Sequence, residues 1–171
     1  MAKQKSQEEG QLSENPYFST DPAPPALEQS LEVLRKDLLD DDLPLFKRYR
    51  AMFALRNKGD DDSIKALGEG LKSKNALFRH EIAYVLGQIQ SPLVKDQLLE
   101  CLRNESEMDM VRHECAEALG SIATEDINEE LSKYLDKSHP DVVRESCVVA
   151  LDFVEYNLSD QFQYADSLTK L

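Results

Sequence analysis

Two histidine–glutamate pairs, His80-Glu81 and His113-Glu114, lie 33 residues apart within near-copies of one pattern, LFRHEIAYVLG and MVRHECAEALG. Imidazole and carboxylate are the ligand types a non-haem metal ion requires. Two neutral imidazoles and one carboxylate make the facial triad of non-haem Fe(II), which leaves positions open for dioxygen and substrate. His80, His113 and one of the two glutamates supply that set if neighbouring helices bring them together, and the remaining glutamate is then free to hold an amine. Zinc accepts the same ligands, but no thiolate in register selects it structurally. His139, in a turn before Pro140, falls outside the register and is read as unrelated. The sequence has no Gly-rich phosphate loop, no nucleophile elbow and no Cys-His pairing at a repeated register.

A single histidine is more often a core or surface residue than a ligand, whereas two at one register, each followed by Glu, favour a shared site. The helix that carries each pair decides where they point. Phe78, Ile82, Val85, Leu86 and Ile89 stand at offsets 0, 4, 7, 8 and 11, and the offsets recur in Val111, Cys115, Ala118, Leu119 and Ile122 and in Val143, Cys147, Ala150, Leu151 and Val154. At about 100° per residue, His80 and His113 lie opposite the centre of this apolar stripe and the glutamates lie on its flank. Gly87 and Gly120 each follow a histidine by seven residues on nearly the same face. They either leave space for a bound ligand or end their helices.

Four segments align on Arg48, Arg79, Arg112 and Arg144, at intervals of 31, 33 and 32 residues, a period typical of two-helix solenoid units. Between them, Leu31–Leu39, Ile64–Leu71, Leu93–Leu102 and Ile127–Leu135 read as the first helix of each pair, and second helices are predicted near 44–58, 76–90, 109–123 and 141–155. Ser91 with Pro92, Asp126 with Glu129, and Pro140 read as helix starts. The first unit departs from the stripe, with Lys47 and Lys58 at its outer positions, so its helix is packed differently or lies near an end of the stack. The pattern predicts an all-α solenoid of about four helical pairs over residues 20–171. Residues 1–19 are expected to form a polar, mobile leader, and the prolines of DPAPPALEQ to stiffen the chain and start a helix.

With 33 acidic and 20 basic residues the chain carries a formal charge of -13, which disfavours nucleic acid and either serves solubility alone, the commoner case, or suits a cationic ligand or basic partner. Cys101, Cys115 and Cys147 form no CxxC pair and fall in apolar helical patterns, which predicts reduced packing thiols in the cytoplasm. No apolar run approaches the roughly 20 residues of a membrane span.

Beyond the pairs themselves, NPYFSTDPAPP, RYRAMFALRN, ALFRHEIAYVLGQIQ, MVRHECAEALGSIA, VVRESCVVALD and FQYADSL together resemble the deoxyhypusine hydroxylase family of HEAT-repeat di-iron monooxygenases. The resemblance covers about Asn15 to Leu171. It implies an iron-dependent oxidoreductase that uses dioxygen to hydroxylate the deoxyhypusine side chain of a translation elongation/initiation factor, completing hypusine. In that family four His-Glu motifs, two in each pseudo-symmetric half, build the iron site. Carried over by motif, His80, His113 and Glu114 match iron-binding positions, and Glu81 matches a carboxylate implicated in holding the substrate amine. NPYFSTDPAPP resembles the connector between halves, so the chain looks like the second half alone, with a homodimer or a complementary first half needed for a second iron. In the other two units Tyr49 with Arg50, and Glu145 with Ser146, replace the pair. The rival reading is a non-catalytic HEAT-repeat binding module. A tetrapyrrole lyase or chaperone is permitted by the repeats but not suggested by the His-Glu pairs.

Overall fold

The computed structural model describes residues 22–27 and 30–158. Among them lie eight α-helices and no strand: α1 (Leu31–Leu39), α2 (Leu45–Lys58), α3 (Asp61–Glu69), α4 (Ala76–Ile89), α5 (Lys95–Arg103), α6 (Asp109–Ile122), α7 (Glu125–Ser132) and α8 (Asp141–Leu158), with 3-10 turns at Gly70–Lys72 and Pro92–Val94. They pair as α1/α2, α3/α4, α5/α6 and α7/α8, and the second helices α2, α4, α6 and α8 pack in sequence to form one layer. The fold is therefore the all-α, HEAT-like helical-repeat solenoid that the period predicts. The leader expected over residues 1–19 lies outside the described residues.

The repeated stripe is the core. Phe78, Ile82, Val85 and Leu86 of α4 are fully buried against Val111, Cys115, Ala118 and Leu119 of α6, which meet Val143, Cys147, Ala150 and Val154 of α8. Each Phe, Ile, Leu or Val among them contributes roughly 1.5–3 kcal/mol by leaving water. Ile89, Ile122 and Leu151, at the margins of the stripe, are only partly covered.

α2 differs because both of its sides are covered. Arg48, Tyr49 and residues 51–56 are all buried. The proline segment explains it: Ala23 is buried, the Ala26 amide donates to the Arg50 carbonyl at 2.9 Å, and Arg50 Nε and Nη2 donate to the carbonyls of Pro24 and Pro25 at 3.2 Å. Those prolines do not start a helix, as their sequence suggested; they lie against α2, and α1 begins at Leu31.

Of the arginines used to align the repeats, Arg48, Arg79 and Arg112 are fasteners, whereas Arg144 pairs within α8 with Asp141 and Glu145. Arg48 Nε donates to the Leu38 carbonyl at 2.9 Å and Arg112 Nε to the Leu102 carbonyl at 3.0 Å, so each satisfies an open carbonyl at the end of its partner helix. Arg79 donates through Nη1 to the Ser73 carbonyl at 2.6 Å and also reaches the next pair, with Nε 2.7 Å from Glu107 Oε2 and Nη2 2.5 Å from Glu107 Oε1. Asp126, read as a cap, lies inside α7, where it accepts from Lys95 Nζ and Thr124 Oγ1, both at 2.6 Å; Thr124 holds the cap position.

Gly87 and Gly120 neither end their helices nor open a ligand space, because both lie within the last turns of α4 and α6 at helix crossings. A Cβ on Gly87 would lie 3.1 Å from Ala118 Cα, and one on Gly120 would lie 2.8 Å from Ala150 Cα. They let neighbouring backbones touch.

All three cysteines are buried and free, and burial pushes the Cys147 thiol up to about 12. A thiol reagent is expected to leave the native chain unlabelled and to modify all three cysteines once denaturant is added. Prompt labelling of the native chain would show a looser stack.

Candidate metal centre

The seam between α4 and α6 gathers the histidines. His80 is the fifth residue of α4, where Asn75 caps the helix by accepting from the Phe78 amide at 3.0 Å, and His113 is the fifth residue of α6. Equal positions on adjacent, near-copied helices place the two rings side by side, with centroids 5.5 Å apart. Glu114, one residue beyond His113, turns toward α4, and its Oε2 lies 3.3 Å from His80 Nε2.

One ligand atom from each of His80, His113 and Glu114 lies within 4.8 Å of the other two. Atoms bound to one ion at about 2.1 Å in a facial triad, at about 90° to one another, stand about 3 Å apart, so the side chains must draw in by up to about an ångström each to close around a metal. The donor set fits as well. Two imidazole nitrogens and one carboxylate oxygen suit non-haem iron and leave coordination positions open.

Electrostatics in the metal-free chain also favour a cation here. Burial first, then repulsion from Glu117 and Glu81, push the Glu114 carboxyl up to about 7. A carboxylate this covered lacks compensating positive charge, which a metal ion supplies.

Glu81 stands outside the three-residue cluster, on the other side of His80, with Oε1 3.5 Å from His80 Nδ1. That nitrogen is buried and has no hydrogen-bond partner. Beyond it is Tyr49, at the histidine position of the first unit, whose phenol is held above its ordinary value by burial and by the Glu81 charge. His139 lies before α8 against the Tyr134 ring, with centroids 4.9 Å apart.

Glu117, which the sequence did not single out, and Ser146, which it marked as replacing a glutamate, also meet at this site. Glu117 Oε1 lies 3.5 Å from His113 Nδ1, and Ser146 Oγ of α8 lies 3.4 Å from the same nitrogen and 2.8 Å from Glu117 Oε1. Glu117 was detectable as the residue four beyond His113, on the same helical face. Ser146 occupies the glutamate register of the last unit.

Fold and site together define a HEAT-like repeat protein with a two-histidine, one-carboxylate cluster on an inner seam. A profile of HEAT repeats matches residues 31–109. The chain is similar to deoxyhypusine hydroxylases: it is 58% identical to the Danio rerio enzyme over 158 residues, covering 92% of this chain and 52% of that protein. Against the Homo sapiens enzyme it is 52% identical over 162 residues, covering 95% and 53%. The solved structure of human deoxyhypusine hydroxylase in complex with glycerol superposes with a TM-score of 0.80 at 52% sequence identity, covering 86% of this chain and 51% of that one. The chain spans about half the length of the curated relatives it matches. No described helix is long and apolar enough to cross a membrane.

Proposed function

We propose that this chain is the second, C-terminal half of a cytoplasmic deoxyhypusine hydroxylase, binding iron through His80, His113 and Glu114. The observation that carries the reading is the cluster itself, three donors of the right types within 4.8 Å on the seam between α4 and α6. Identity of 52–58% to named hydroxylases supports the assignment.

Fe(II) held there would supply dioxygen activation, and the protein residues provide the rest. Glu81 adjoins His80 without joining the cluster, which supports a role for it in pairing with the cationic amine of a deoxyhypusine side chain. Glu117 adds a second negative charge, and the overall charge of -13 favours approach of a cationic substrate. In the overall reaction one oxygen atom enters a C–H bond and the other leaves as water, with two electrons from an external reductant. The substrate is the deoxyhypusine-bearing translation elongation/initiation factor.

One triad holds one ion. A di-iron site therefore requires ligands from a second copy of the chain or from a complementary first half, and like charges of -13 oppose the homodimer. The chain alone is expected to take up at most one iron and to hydroxylate little. Two irons per dimer with dioxygen-dependent conversion by this chain unaided would establish an enzyme of identical halves.

Elemental analysis of anaerobically loaded protein tests the ligands. His80→Ala and His113→Ala are expected to lose most of the iron, and His139→Ala to keep it. Glu81→Ala is expected to retain metal while binding a deoxyhypusine peptide more weakly. Equal iron in the three histidine variants would remove the shared site and leave a non-catalytic HEAT-repeat binding module as the reading.

A further inference from the structure

The surroundings of the two histidines differ, and the difference is directional. Ser146 is buried, and its hydroxyl has one proton, which it donates to Glu117 Oε1 at 2.8 Å. The carboxylate can only accept there. With its proton committed, Ser146 Oγ can serve His113 Nδ1, 3.4 Å away, only as an acceptor. Nδ1 must then carry the ring proton, and Nε2 presents its lone pair.

We propose that Glu117 and Ser146 are positioning residues that act as a two-membered relay, fixing His113 in the Nδ1–H tautomer so that Nε2 is preset as the metal ligand. His80 has no such support, since its buried Nδ1 lacks a partner and Glu81 stays at 3.5 Å. His113 is the anchor of the site and His80 the adaptable ligand.

The relay explains why the last unit departs from the His-Glu pattern. Glutamate in place of Ser146 would set a second carboxylate against Glu117 and could not donate to it. Serine supplies both a donor and an acceptor in the space available. Outer residues that orient a ligating histidine commonly change metal affinity by about 10–100-fold.

The inference rests on the proposed metal site, but its first test does not. In mildly alkaline solution, where an imidazole is neutral, nitrogen-15 correlation spectra of the metal-free chain report the tautomer of each ring. His113 is expected as Nδ1–H in the wild type and in Glu117→Gln, whose amide oxygen still accepts from Ser146. In Ser146→Ala and Glu117→Ala it is expected to shift toward the Nε2–H form that a free imidazole prefers. Anaerobic Fe(II) titration is expected to show affinity about 10-fold or more weaker in Ser146→Ala and Glu117→Ala, a smaller loss in Glu117→Gln, and none in Glu145→Ala, which alters an exposed neighbour that pairs with Arg144. Thermal melts of the metal-free variants identify any loss of fold, and Ser146→Ala, a small change, keeps the test open if Glu117→Ala unfolds. Wild-type His113 as Nε2–H would overturn the relay whether or not metal binds. An unchanged tautomer in Ser146→Ala, or equal iron affinity in Glu117→Ala and wild type, would also overturn it. Equal losses in Glu117→Gln and Glu117→Ala would assign the effect to charge alone. Failure of the wild type to bind iron would refute the metal site while leaving the tautomer result to judge the relay.

Discussion

Glutamine at Glu114 is expected to remove most iron binding and, in the same protein, to stabilise the metal-free chain at about pH 8 by up to roughly 3 kcal/mol. The sign follows from the direction of the shift. Burial and the charges of Glu117 and Glu81 raise the Glu114 carboxyl from 4.5 to about 7, so the folded chain holds that proton more tightly than the unfolded chain. The stabilisation is complete below the unfolded value and is lost as pH rises through about 7, at about 1.4 kcal/mol per unit of difference. Denaturant unfolding in the presence of a chelator should therefore show the wild type weakening between about pH 5 and pH 8 relative to Glu114→Gln. Parallel curves for the two proteins would show that Glu114 bears no such load. With metal bound the carboxylate gains its missing counter-charge, and the disadvantage of ionisation disappears.

Alanine at Gly120 is expected to destabilise the chain by roughly 2–3 kcal/mol, the range of an overpacked core. In an exposed helix the same change stabilises by about 1 kcal/mol. Here the added Cβ would lie 2.7 Å from Ala150 Cβ, 2.8 Å from its Cα and 2.9 Å from its carbonyl oxygen, and backbone cannot step aside as a side-chain tip can. α6 and α8 would have to part, pulling Ser146 away from His113 and Glu117. Gly87→Ala, whose Cβ would meet Ala118 at 3.1–3.2 Å, should be milder, at about 1 kcal/mol. Urea midpoints measure both, and a Gly120→Ala protein as stable as wild type would mean that the α6–α8 crossing has slack.

What was legible in the sequence was whatever repeated. The offsets from Phe78, Val111 and Val143 marked one buried stripe because three helices face the same environment. The shared register of His80 and His113 placed both on one seam for the same reason. What the repeat hid was the meaning of its exceptions. Ser146 read as a lost ligand, since sequence alone does not show that α8 brings its hydroxyl to the far side of His113. The glycines read as ligand space or helix ends because the backbone of the next helix, which they accommodate, leaves no mark near them in sequence. The prolines before α1 read as a helix start, whereas their partner is Arg50, some 25 residues on.

The bidentate pair between Arg79 and Glu107 joins α4 to the start of α6, one residue before His80. Two nearly parallel bonds resist sliding and pivoting together, as one bond cannot. Helices packed along an apolar stripe can otherwise slip axially, and one residue of slip is about 1.5 Å, enough to carry Glu114 out of reach of His80. Arg79 thus acts as a detent that sets the axial phase of the seam. How closely the three ligands can register depends on an ion pair outside the metal site, and lysine there, with a single point of attachment, would let the two helices pivot.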